Sequence, residues 1–279
     1  NFKHCTLISH CSFMIGIQSK FVIKSFSWGI LIGTFSSKRY FVSAASLQMQ
    51  RVRNDGLGGR GVTFIPSSGS YKNVVVWMHG LGDTADGWAS MMPSLGLSET
   101  KFILPTADNK PISINGGMPM PAWSDIYGLD DKTREDRVGF DQSKSRIDRI
   151  VQAEIDKGIE PKRVVIAGFS QGGALAFHTA LRSAHPLGGC IGLSTWVPLH
   201  SDYPAAISPA AAANLKILQV HGDEDMVVSH RWGEKSHKGL KNWLTSHEPE
   251  FITIEGMGHS SDPDETKVVQ RFLKTLFEQ

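Results

Sequence analysis

Arg163-Val-Val-Ile-Ala-Gly168-Phe169-Ser170-Gln171-Gly172-Gly173 is an apolar run that passes at once into Gly-x-Ser-x-Gly and then into Ala174-Leu-Ala-Phe177. Four apolar residues in succession, closed by glycine, predict a strand buried on both faces. Residues 171–183 are rich in Ala and Leu and lack Pro, which predicts a helix. A strand turning directly into a helix around a serine flanked by glycines exposes the hydroxyl at a strained corner. The free N–H groups and dipole of the helix N-terminus favour negative charge beside it. A serine serving only as a helix N-cap would not require glycine at 168, 172 and 173. The pentapeptide alone is a weak signal; its setting makes it specific.

Outward from this turn, similar apolar runs recur at 62–65, 73–78, 102–104, 190–194, 215–220 and 251–254. Helical patterns lie between them. In 141–157, Ile147, Ile150, Val151 and Ile155 form one stripe at spacings of three and four. Residues 232–245 place Trp232, Leu240, Trp243 and Leu244 among Lys and Glu. Asp262-Pro263 supplies an N-cap followed by proline at the first helical position, opening a terminal helix with Val268, Val269, Phe272, Leu273 and Leu276. This order predicts one α/β domain, a mostly parallel central sheet with helices on both faces. Residues 106–128 carry no regular pattern and mix Met118, Met120 and Trp123 with Pro and Gly. A loop of that length inside a compact domain points to binding rather than mere connection.

A serine hydroxyl attacks well only when a base takes its proton, and the base needs an acid to orient it. On folds with this elbow the chain order is Ser, acid, His, each from a loop after a later strand. His221-Gly-Asp223-Glu224-Asp225 follows one strand and offers three carboxylates; Glu255-Gly-Met-Gly-His259 follows the next. His259 sits in a glycine-rich turn free to reach inward, whereas the other ten histidines fall in the first fifty residues, at strand ends already used, inside a helix or in polar stretches. The pattern divides Asp223 and Asp225 nearly evenly, with Asp223 suited to bracing the turn and Glu224 behind both. Two backbone N–H groups must meet the developing oxyanion. Gln171, after the serine, supplies one, and Leu81 in His79-Gly-Leu-Gly-Asp83 is the natural second.

The 279 residues carry 29 basic and 27 acidic side chains, yet 1–54 hold seven of the basic ones and no Asp or Glu. From 55 onward the chain is mildly acidic, which argues against nucleic-acid binding. Three cysteines make no disulfide framework. No HExxH, spaced Cys/His cluster or dinucleotide glycine loop occurs, so neither metal nor organic cofactor is expected. Residues 1–55 read as a leader set apart from a catalytic domain at 56–279. Three readings of that leader stay open: a mitochondrial transit peptide, a poor secretory signal, or upstream sequence with initiation at Met49. Its longest nearly uncharged stretch, 25–37, falls short of the 18–20 or so apolar residues that span a bilayer.

Six motifs in order, His79-Gly-Leu-Gly-Asp83, Pro121-Ala-Trp-Ser-Asp125, Gly168-Phe-Ser-Gln-Gly-Gly173, Leu193-Ser-Thr-Trp196, His221-Gly-Asp-Glu-Asp225 and Gly256-Met-Gly-His259, resemble the acyl-protein thioesterase/lysophospholipase branch of the phospholipase–carboxylesterase family. The resemblance runs from about Val62 to the C-terminus. It implies an α/β-hydrolase fold with Ser170 as nucleophile, His259 as base and Asp225 as the orienting acid. It further implies that the Leu81 and Gln171 amides form the oxyanion hole, and that Met118, Met120 and Trp123 border an acyl channel. The implied substrates are S-acylated proteins, lysophospholipids and short artificial esters, met in the cytoplasm with transient membrane-surface contact by a monomer or weak homodimer; a working transit peptide would place it in mitochondria instead. Thr195 departs from the cysteine common before that tryptophan, and Gly116-Gly117 make the loop more flexible than usual, which bears on acyl length. A carboxylesterase for short soluble esters and a non-catalytic lipid-binding module are the competing readings.

Overall fold

Valines 74 and 76 and Met78 point into one hydrophobic cluster, while Val75 and Trp77 point into another, and all five are buried. This period of two along a continuous apolar run marks a strand covered on both sides. A computed structural model of the protein describes residues 49–53, 60–130 and 132–278. In chain order the strands are β1 (Met49–Arg53), β2 (Gly61–Pro66), β3 (Asn73–Met78), β4 (Thr100–Pro105), β5 (Asn109–Ile112), β6 (Met118–Pro121), β7 (Val164–Phe169), β8 (Gly189–Leu193), β9 (Lys216–Gly222) and β10 (Glu250–Ile254). The helices are α1 (Ala85–Trp88), α2 (Met91–Ser94), α3 (Arg137–Ile155), α4 (Gln171–Leu181), α5 (Pro209–Asn214), α6 (His230–Trp243) and α7 (Pro263–Phe277).

Eight strands form one sheet in the order β1-β2-β4-β3-β7-β8-β9-β10. From β4 to β10 every neighbour is parallel; β2 runs antiparallel to both β1 and β4. Helices α3, α4, α5 and α6 cover one face through residues such as Phe140, Ile147, Leu175, Phe177, Ala211 and Leu240. Helices α1, α2 and α7 cover the other through Trp88, Met92, Val269, Phe272 and Leu273. Each fully buried Val, Leu, Ile or Phe contributes about 1.5–3 kcal/mol, so the two layers supply the main stabilisation of the sheet. Among the described residues no helix is long and apolar enough to cross a membrane.

Two features differ from the sequence reading. Five residues of the stretch set apart as a leader, Met49–Arg53, pair antiparallel with β2 as an edge strand. Arg51 and Arg53 reach Asp86 beside it, so these basic residues decorate an exposed edge, where charge deters further strand pairing. The rest of the leader, 1–48 and 54–55, lies outside the described residues. The segment 106–128 is also more regular than expected: β5 and β6 form a separate antiparallel hairpin, closed by a 3₁₀ turn at Ser113–Asn115. Pro111, Pro119 and Pro121 hide it from pattern reading, because proline is tolerated on edge strands such as these.

The parallel strands bring their C-terminal ends to one edge. There β3 delivers His79–Leu81, β7 delivers Ser170, β8 delivers Thr195, β9 delivers Asp225 and β10 delivers His259. Ligands of open parallel sheets bind at this edge.

Candidate active site

Ser170 stands between β7 and α4 with φ 53° and ψ −122°, a conformation that costs of the order of 1–3 kcal/mol for a residue with a Cβ. Its surroundings hold it there. Its N–H donates to Leu193 O at 2.8 Å, and its C=O accepts the Ala174 N–H at 3.0 Å and the Thr195 hydroxyl at 2.6 Å. A Cβ at Gly172 would press on the carbonyl oxygens of Met78 and His79, and one at Gly168 on the backbone of Gly172. Glycine at both positions lets β3, β7 and α4 approach closely enough to make the corner.

His259 Nε2 lies 3.0 Å from Ser170 Oγ, and His259 Nδ1 lies 2.7 Å from Asp225 Oδ2. A carboxylate only accepts, so Nδ1 carries the proton and Nε2 is left to accept from the hydroxyl. This convergence has to be built, because β10 is three places from β7 in the sheet, roughly 14 Å at the usual strand spacing. The 255–259 loop crosses that gap folded against the 223–225 loop. Asp223 N–H donates to Ile254 O at 3.3 Å, Glu224 N–H to Met257 O at 3.1 Å, and Gly256 N–H to Asp223 Oδ1 at 2.7 Å. The two aspartates that pattern could not separate therefore differ plainly: Asp223 ties the loops together and Asp225 faces the imidazole.

Asp225 is buried, and its Oδ1 accepts the N–H groups of Val227 and Val228 at 2.9 Å each. Burial works against its charge, but His221, His259 and the Val227 amide outweigh burial and hold the carboxyl well below the usual carboxylate range.

Gln171 is the first residue of α4, so its N–H has no carbonyl partner within the helix. Leu81 borders the same cleft as Ser170. The loop carrying Leu81 is pinned from below by His79, whose Nδ1 donates to Gly80 O at 2.6 Å and whose Nε2 accepts the Ala107 N–H at 3.0 Å. Burial lowers the His79 pKa, in keeping with a ring that must both donate and accept. Gly82 N–H donates to Pro121 O at 2.9 Å, which fastens the same loop to β6.

Ser170 and His259 open into a cleft of about 880 Å³. Its apolar wall comes from Trp88, Met91, Ile114, Ile126, Leu129 and Phe169, and polar groups include Ser94, Thr266 and Gln270. The three residues expected to border an acyl channel are not among those that line it. Met118 is 62% exposed, and Met120 packs on the small cluster of Ile112, Ala122 and Ile126. Trp123 is buried beneath the cleft, its indole N–H donating to His79 O at 2.8 Å. The hairpin turns the methionines away and draws the indole inward; the same segment serves the cleft through Ile114, Ile126 and Leu129 instead.

Residues 62–277 match the phospholipase/carboxylesterase family. The chain belongs to that family. Relatives in this phospholipase/carboxylesterase group include acyl-protein thioesterase 1 of Gibberella zeae, 38% identical over 219 residues, covering 75% of this chain and 92% of that protein. Acyl-protein thioesterase 1 of Mycosarcoma maydis is 37% identical over 215 residues, covering 72% and 89%. The crystal structure of Zea mays acyl-protein thioesterase 2 superposes with a TM-score of 0.69 at 29% identity, covering 82% of this chain and 98% of that one. The fold is thus that of an α/β hydrolase, and the family is one of hydrolases.

For this family member, sequence reading missed His221, Thr195 and Glu135. His221 appeared only as a strand end, although a histidine closing a buried strand has to find polar partners, and that was the available signal. Thr195 gave none locally, since its bond to Ser170 O joins residues 25 apart. Glu135 takes the Trp196 indole N–H at 2.7 Å and the Leu199 N–H at 2.5 Å, which holds one wall of the cleft.

Proposed function

We propose that the protein hydrolyses acyl thioesters and esters by a serine mechanism, removing acyl groups from S-acylated proteins and also cleaving lysophospholipids. Ser170 Oγ attacks the acyl carbonyl while His259 Nε2 takes its proton. Asp225 orients the ring and stabilises the imidazolium that forms. The amides of Leu81 and Gln171 receive the oxyanion, each worth about 3–4 kcal/mol in the transition state. His259 then returns its proton to the departing sulfur or oxygen, and water releases the acyl group from Ser170 by the same steps in reverse order.

The observation that carries this reading is the unbroken line from Asp225 through His259 to Ser170, opening on a cleft with an apolar wall. Two relatives bear the name acyl-protein thioesterase, which supports the protein substrate. Exposed Ile114, Leu129 and Val227 border the cleft and suit transient contact with a membrane surface, with the cytoplasm as the setting.

Rates on nitrophenyl esters of short and long acyl chains test the substrate class. Long-chain esters should be cleaved at least as well as acetate, and a strong preference for acetate would replace this reading by a short-chain carboxylesterase. A fluorophosphonate probe should label Ser170 in the folded protein; failure to label would leave only a non-catalytic binding role.

A further inference from the structure

His221 is the penultimate residue of β9 and has no exposed surface. Its Nε2 lies 2.8 Å from Val228 O and 3.4 Å from Asp225 Oδ2. Both neighbours are acceptors, so Nε2 carries the proton. Among the described residues Nδ1 has no hydrogen-bond partner, and it sits against Gly233, where a Cβ would collide with it. Leaving a buried nitrogen unpaired costs stability that an apolar side chain of similar size would retain. The ring is therefore expensive as packing, and the benefit lies on its other edge.

That edge faces the acid. Asp225 Oδ1 is held by the Val227 and Val228 amides, and Oδ2 lies between two imidazoles, His259 in front at 2.7 Å and His221 behind. Val228 takes part twice: its N–H holds Oδ1, and its C=O is held by His221. We propose that His221 is a positioning residue for Asp225, latching the 225–228 turn through Val228 and presenting an N–H edge to Oδ2, so that the carboxylate keeps the orientation His259 needs. The inference rests on the Ser170–His259–Asp225 reading and assigns His221 no contact with substrate.

The consequence has a sign. A positive N–H edge near Oδ2 draws charge away from the oxygen that His259 uses, which weakens the hold of the carboxylate on an imidazolium. Removing it strengthens that hold and favours the protonated ring. The other titratable and charged groups around this pair are Ser170 on the elbow, Asp223 in the same loop, Asp262 before α7, and His230 with Glu234 on α6. Of these, His230 meets the His221 ring edge-on at 5.7 Å and is the neighbour that a change at 221 touches directly.

The test compares H221M, which keeps the bulk and removes the donor, with H221Q, which places an amide N–H near the position of Nε2. H221M should lower kcat about ten- to a hundredfold with KM little changed, and should move the acid limb of kcat/KM upward by roughly half a pH unit. H221Q should restore most of kcat and the wild-type limb. If H221M fails to fold, H221N gives the same comparison, because its shorter amide does not reach Asp225. An unmoved limb in the donor-less variant, or equal losses in H221M and H221Q, overturns the proposal. Fluorophosphonate labelling of Ser170 in the wild type separates the two readings: with labelling present, a negative result refutes His221 alone, and without labelling both fall.

Discussion

The side-chain oxygen of Gln171 accepts the backbone N–H of Trp123 at 2.9 Å, which joins the first residue of α4 to the segment after β6. Its side-chain nitrogen donates to Ser124 O at 2.8 Å and Ser124 Oγ at 3.2 Å. Gln171 has no exposed surface, so these bonds are shielded from water. Q171M keeps the backbone amide proposed for the oxyanion hole and removes all three bonds. With the Trp123 N–H left unpaired, it should lose about 1–3 kcal/mol of stability, and kcat should drop roughly tenfold as residues 123–124 loosen. Thermal unfolding and steady-state kinetics check both. A Q171M protein with wild-type melting temperature and kcat would show that the side chain ties nothing that matters.

Removing the hydroxyl at 170 tests the proposed nucleophile. S170A should lower turnover by the order of 10⁴-fold or more while keeping the fold, because the backbone bonds that hold the elbow come from N–H and C=O groups that alanine retains. Circular dichroism and turnover of a nitrophenyl ester read the two halves of this outcome. Residual activity near the wild-type level would transfer the chemistry to another group.

The pH dependence should have one acid limb. Asp225 is held well below the usual carboxylate range, after burial has been outweighed by His221, His259 and the Val227 amide, so it stays charged in mild acid. The proton that stops the reaction then goes to the base, an imidazole, the side chain that ordinarily changes charge between about pH 5 and 8. Activity should rise with pH across that interval. A flat kcat/KM profile from pH 5 to 8 would exclude His259 as the base.

These outcomes probe a site that was partly legible before any coordinates. The elbow could be read because its determinants are local: a buried strand, three glycines and a helix lie within residues 164–181. The choice between Asp223 and Asp225 could not be read from local pattern and came only with the family resemblance, since it depends on how the 223–225 and 255–259 loops hydrogen-bond to each other. Met118 and Met120 look like channel residues as long as the proline-rich segment is taken for a loop; paired as a hairpin, it leaves Met118 in solvent at the tip end and packs Met120 on Ile112, Ala122 and Ile126. Trp123 reads as a third channel residue but is drawn under the site by bonds to residues 44 and 48 positions away. Arg51 and Arg53 share the composition of the leader, and only their pairing opposite Phe64 and Val62 reveals a strand.

Gly172 is set by close approach rather than by its own backbone angles. A Cβ there would meet the carbonyl oxygens of Met78 and His79, both backbone and unable to yield without moving β3. G172A should therefore separate α4 from β3, shift Ser170 and displace the Leu81 loop together. The expected cost is about 3 kcal/mol or more in stability, with turnover falling at least a hundredfold. Urea denaturation and kinetics measure it, and a G172A enzyme with both intact would mean the helix can tilt freely at this corner.

Two buried carboxyls should respond to pH in opposite directions. Glu154 is fully buried and receives Lys101 Nζ at 2.7 Å, Lys157 Nζ at 2.8 Å and the Tyr71 hydroxyl at 2.8 Å. Burial opposes its charge, but these donors prevail and lower its pKa. A depressed carboxyl stabilises the fold above its unfolded value of about 4.3, and that contribution is lost as pH falls through the folded value. Glu265, near the start of α7, is equally buried, and among the described residues no side chain pairs with either of its oxygens. Burial pushes it up to about 8, with the nearby Asp262 amide offsetting only part. A raised carboxyl favours the fold in its protonated form, so its contribution is full below about pH 4.3 and declines until the pH passes the folded value. E154Q should thus cost about 3–5 kcal/mol at pH 7 and progressively less in acid. E265Q should instead become more stable than the wild type as pH rises from 5 to 9, by a few kcal/mol at the upper end. Melting temperatures of the three proteins from pH 3 to 9 check both slopes, and parallel curves would refute the assigned charge states.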